Sequence, residues 1–232
     1  MSALPWQVES LRWTFFYPLG ADIPSKELWR EIAGAAPEER TEKQAVGVIV
    51  ESGEWLDNKL TVSSQPGRID VVFLSPPVPP QLPNLGTYAG ALELFRKLPL
   101  PFRGVHVNRV AYGAVLLLPG KDHNDCYSTL TKCLPHVGIN PASREFQYRI
   151  NNPKKSKVIP ELTINSLSTW AAIRAQFVTI PPSANGEVYA TRLELDINTD
   201  GNFQLPTGNV SAELAEELIA VGSHIIEHGV EP

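Results

Sequence analysis

Period-two alternation of apolar and polar residues recurs along most of this chain, and it restricts the fold more than any other feature. Val8 to Tyr17 sets Leu11, Trp13, Phe15 and Tyr17 on one face and Ser10, Arg12 and Thr14 on the other, the pattern of a half-buried strand. Extended runs follow at Gln44 to Glu51, Lys59 to Ser63, Arg68 to Leu74, Val105 to Leu118, Arg144 to Ile150, Leu162 to Ile180 and Glu187 to Ile197. Ser52-Gly53, Gln65-Pro66-Gly67 and Asn185-Gly186 supply turn residues between them. Apolar residues recur at helical spacing in Leu28 to Ala36, Tyr88 to Leu98, Asp122 to Leu134 and Ser211 to His228. Strands outnumber the helices that could cross between parallel neighbours. The expected fold is therefore α+β, a mainly antiparallel sheet with helices on one face.

Each half of the chain reads strand, helix, three strands, helix, which predicts an internal duplication with halves at 1–101 and 102–232. Five prolines stiffen Ser75 to Pro83, the linker candidate within the first half.

The 232 residues are 43% hydrophobic and 19% charged, the profile of a folded globular chain. No apolar run approaches the ~18 residues that would span a bilayer, and no basic-then-apolar leader precedes Glu9. A cytoplasmic protein with reduced Cys126 and Cys133 is expected. The net charge of −5 argues against non-specific binding to nucleic acid or to an anionic membrane.

Outward positions of the strands supply the binding candidates. Arg12, Arg149, Arg174 and Arg192 read as anion contacts, Trp170 as a stacking anchor and Gln176 as a polar neighbour, because guanidinium groups fork onto carboxylate and phosphate and stack on rings. Asp196, Asn198 and Asp200, followed by Gly201, match the opening of a calcium loop, but Thr207 stands where a bidentate Glu is needed. An Asp-Gly turn is the competing reading. His224, Glu227 and His228 match an inverted zincin spacing with no third ligand downstream except Glu231; a solvated acidic helix face is expected. His123, Cys126, Cys133 and His136 look like a metal quartet, yet ~10 Å of helical rise separates the two thiols, so both are read as core. Lys154, Lys155 and Lys157 form a basic loop. No cofactor is expected.

The run Val107-Asn-Arg109-Val-Ala-Tyr-Gly-Ala-Val-Leu-Leu-Leu118, the closing Leu193-Glu-Leu-Asp196-Ile-Asn198 and the Glu-rich last helix resemble a sporadically distributed bacterial family of about this length with no established activity. That resemblance implies an accessory binding protein, such as a defence or toxin-neutralising component, and a fixed turn at Asp196. In outline the repeated element order also resembles the saddle of TATA-binding proteins, but this chain is acidic and lacks paired apolar wedges with basic flanks. The function expected is non-enzymatic binding of a protein partner through the Arg- and Trp-bearing sheet face, with self-association compatible. The rivals are a metal-dependent hydrolase and a nucleic-acid-binding module.

Overall fold

The computed structural model describes residues 4–20, 28–76, 78–99, 106–177, 186–201, 205 and 210–230. The first half contributes β1 (Gln7–Phe16), α1 (Leu28–Ala33), β2 (Glu39–Lys43), β3 (Val48–Trp55), β4 (Asn58–Gln65), β5 (Arg68–Leu74) and α2 (Tyr88–Phe95). The second contributes β6 (Arg109–Gly120), α3 (His123–Cys133), β7 (Gln147–Asn151), β8 (Lys154–Lys155), β9 (Thr163–Phe177), β10 (Gly186–Thr199) and α4 (Ala212–His228). The fold is α+β and the pairing throughout is antiparallel. One sheet runs β2-β3-β4-β5-β1-β6-β10-β9-β7, with β8 also on β9. The two halves therefore share a sheet, joined where β1 pairs with β6 from Gln7↔Leu117 to Phe16↔Arg109.

Alternation decides which side chains the helices cover. Leu11, Trp13 and Phe15 of β1, Val110, Tyr112 and Leu116 of β6, and Leu193, Leu195 and Ile197 of β10 are all buried on one face. The register sets Trp13 opposite Tyr112 and Leu193 opposite Leu116. Phe95 of α2 stacks on Trp13 with ring centroids 5.8 Å apart, and Leu214, Leu218 and Ile219 of α4 join the same core. Side chains of Thr87, Asp122 and Ser211 accept the backbone N–H of Gly90, Asp125 and Leu214, which caps the starts of α2, α3 and α4. No helix among the described residues is long and apolar enough to cross a membrane.

Each half carries four strands after its first helix rather than three. The strand missed in the first half, β2, reads Glu-Arg-Thr-Glu-Lys with every residue exposed; it has no alternation to detect, and its charges blunt a sheet edge. In the second half the basic segment expected to be a loop contains β8, where Lys154 and Lys155 pair with Ile164 and Thr163. Ser75 to Pro83 leads from β5 towards α2. Ser75 N–H donates to Glu9 and Leu85 N–H to Val8, so the ends of this connection are held to β1.

Ser52-Gly53 lies inside β3, not in a turn. A Cβ on Gly53 would meet the Trp29 ring at 3.1 Å; the glycine is there because α1 packs close against the strand. The turn falls instead at Leu56-Asp57, with φ of 50° and 60°. Both residues occupy the left-handed region of a two-residue hairpin that favours Asn-Gly, at a cost of about 1–2 kcal/mol per residue. The double substitution L56N/D57G should raise the urea unfolding midpoint by an amount equivalent to about 1–2 kcal/mol. An unchanged or lowered midpoint contradicts the turn assignment.

Candidate binding surface

On the face opposite the helices, centred on the β1–β6 seam, Arg12, Phe16, Arg68, Arg109 and Arg192 are half-buried, while the smaller Thr14, Ala111 and Asn198 between them are buried. Arg12 stands opposite Gly113, with Asp196 on the far side of Gly113. The Arg12 guanidinium lies across that glycine, since a Cβ there would meet Nε and Nη2 at 3.2 Å. Any larger residue at position 113 would lift the arginine. At the other end of the seam Phe16 stands opposite both Arg68 and Arg109. The guanidinium carbons of Arg68 and Arg109 lie 5.5 and 5.0 Å from its ring centroid, within cation–π range.

Charge pairing divides these arginines. Arg68 forks onto Asp70 at 2.7 and 2.8 Å, and Asp70 also accepts the Thr14 hydroxyl at 2.6 Å. Arg192 donates to Glu194 at 2.8 Å. Arg12 and Arg109 have no carboxylate partner among the described residues, and the Nε of each is buried without a hydrogen-bond acceptor. A buried donor left unmatched costs about 1–3 kcal/mol.

Three of the six residues read from the sequence as partner-binding share this face. Arg12, Arg149 and Arg192 occupy outward positions, with Arg149 exposed at the β7 edge. The other three do not. Trp170 pairs with Leu193 and Tyr148 on the helix side and is fully buried at 0% exposure. Its indole N–H donates to Ser168 at 3.1 Å, and its ring meets Trp6 edge-on at 6.2 Å. Arg174 and Gln176 follow at alternate positions on the same side of β9, and Arg174 forms an ion pair with Glu187. Arg174, with His123, Arg144 and Tyr189, borders a helix-side cavity of about 620 Å³. Glu145 and the Arg174-bound Glu187 offset its cations, so it has no clear preference for anions.

Sequence reasoning passed over Arg109 and Phe16. The signal was present in Gly113, a glycine inside a strand that marks the close approach of another group.

The calcium-loop reading of Asp196, Asn198 and Asp200 does not survive. Asp196 and Asn198 sit inside β10, paired to Gly113 and Ala111 on one side and to Leu167 and Asn165 on the other. An extended ladder cannot wrap three oxygens around one ion as a loop does. The Asn198 amide donates to Asp196 at 3.0 Å and its oxygen accepts from Asn165 at 3.1 Å. Asp200 follows the strand, its N–H donating to Thr163. The turn expected at Asp196 likewise comes later in the chain.

Cys126 and Cys133 are buried free thiols on α3. Burial pushes the Cys133 thiol from 9.0 up to about 11. Because the folded value lies above the unfolded one, its contribution to stability is present below pH 9 and lost as pH rises towards about 11. Unfolding free energy should fall less steeply across that interval in C133A than in the wild type. Parallel pH profiles would remove the assignment.

No family model, no curated protein and no solved structure matches this chain.

Proposed function

We propose that the chain is a non-enzymatic binding protein whose uncovered sheet face grips an acidic protein partner. The observation that carries this reading is the pair Arg12 and Arg109, both partly exposed on the same face of adjacent central strands and without a carboxylate partner among the described residues. Carboxylates on a partner would supply the missing counter-charge. Size supports the reading too. Nine strands in one path span about 40 Å and seven paired residues about 20 Å, which makes a patch of about 800 Å², the usual contribution of one side of a stable interface. The net charge of −5 favours a protein over nucleic acid.

The same reading takes the two halves as copies of one ancestral unit, supported by their shared order of strand, helix, four strands, helix and by the central β1–β6 pairing. It takes the setting as cytoplasmic. It also takes the role as accessory, such as neutralising a toxin or serving a defence system.

The test is affinity capture of the partner from the native host, followed by rebinding of the purified partner to wild-type chain and to R12E/R109E. Binding lost in a variant that keeps the wild-type circular dichroism spectrum supports the proposal. Undiminished binding overturns it, as does recovery of nucleic acid alone.

A further inference from the structure

We propose a second site, independent of the sheet face: the last turn of α4 holds a divalent transition-metal ion between the imidazoles of His224 and His228. The two residues are one helical turn apart, the spacing that brings side chains onto one face. Their rings lie nearly parallel, with centroids 4.5 Å apart and an interplanar angle of 29°. The pair is therefore already gathered, and little further ordering is needed to close on an ion.

The hydrogen bonding selects the donor atom. Nδ1 of His228 stands 3.1 Å from the main-chain oxygen of His224. That oxygen can only accept, so Nδ1 carries the proton and the Nε2 lone pair of the neutral ring is left for a metal. Metal-bound histidines characteristically donate their second ring nitrogen to a carbonyl or carboxylate in this way. Imidazole donors select ions of the zinc, copper and nickel class over magnesium or calcium.

The electrostatics are mixed. The carboxyl end of the helix is the negative end of its dipole, which favours a cation there, and Glu227 lies on the same turn. Against this, Lys154 borders the cavity beside His224 and Lys132 the one beside His228. No set of three or more His, Cys, Asp or Glu side chains gathered for a metal occurs among the described residues. The site is accordingly a two-nitrogen site completed by water, unlike the three-ligand arrangement of a zinc hydrolase.

The experiment is calorimetric titration of the untagged full chain with zinc chloride in a non-chelating buffer at neutral pH. A single saturable event is expected, weakened at least about tenfold in H224A and in H228A, as loss of a ligand implies. It should be retained in C133S. Bound copper(II) should show nitrogen hyperfine splitting from two equivalent donors. Binding that survives both histidine substitutions, that disappears in C133S, or that is absent at millimolar zinc overturns the proposal.

Discussion

Replacing Trp170 by alanine should lower the unfolding free energy by about 3–5 kcal/mol, the range for deleting a large buried aromatic. The indole is fully enclosed, packed edge-on against Trp6 and hydrogen-bonded to Ser168. Its truncation opens a cavity between β9 and the N-terminal segment and leaves the Ser168 hydroxyl short of a donor. Were Trp170 an outward anchor on a wet face, the same change would cost less than about 1 kcal/mol. Urea unfolding followed by circular dichroism distinguishes the two outcomes, and a loss below about 1 kcal/mol would refute the inward placement.

The second large effect concerns binding. Reversing the charge at both seam positions, R12E/R109E, should weaken association with an acidic partner by about 100-fold or more, since like charges brought together across an interface cost several kcal/mol. The variant also gives up the cation–π contact of Arg109 with Phe16, worth about 0.5–2 kcal/mol, so binding is measured well below its melting temperature on protein with the wild-type circular dichroism spectrum. The control is R174A on the helix side. It removes an ion pair whose side chains are 56% and 38% exposed, a contact of small value, and should leave binding intact. A partner that tolerates the seam reversal and rejects R174A would relocate the interface to the helix side.

Comparison of particular strands explains how much of this was legible in the sequence. β1 and β5 alternate cleanly, so their inward sets, Leu11, Trp13, Phe15 and Ile69, Val71, Phe73, follow from apolarity alone. The starts of α2, α3 and α4 carry capping residues, and α4 begins where its Ser211 cap implies. β9 behaves differently. Its buried row is Ile164, Ser166, Ser168 and Trp170, while Leu167, Ala171 and Ile173 lie on the outer row. Period two tells which residues travel together, but with apolar and polar residues mixed in both rows it cannot say which row faces the core. Trp170, Arg174 and Gln176 do share one row, as period two implies, but that row lies on the helix side.

The site was partly readable for a related reason. Arg12 and Arg149 interrupt strands whose other rows are plainly apolar, so their outward direction was visible. Arg109 opens β6, which is buried along both rows at its centre, and no alternation flags a functional side chain there. The β1–β6 seam is a long-range pairing, and only the assembled sheet brings Arg109 and Arg12 onto neighbouring strands. The turn at Leu56-Asp57 was hidden because its residues are poor turn formers, whereas Ser52-Gly53 is an attractive decoy whose glycine serves packing against Trp29.

The measurement that bears most directly on the binding surface is arginine-selective footprinting with phenylglyoxal, read by mass spectrometry on the chain alone and with its captured partner. Binding at the seam should protect Arg12 and Arg109, with Arg149 and Arg192 following and Arg96, Arg144 and Arg174 modified as before. Protection confined to those last three, with Arg12 and Arg109 labelled equally in both states, would place the partner on the helices and end the case for the sheet face.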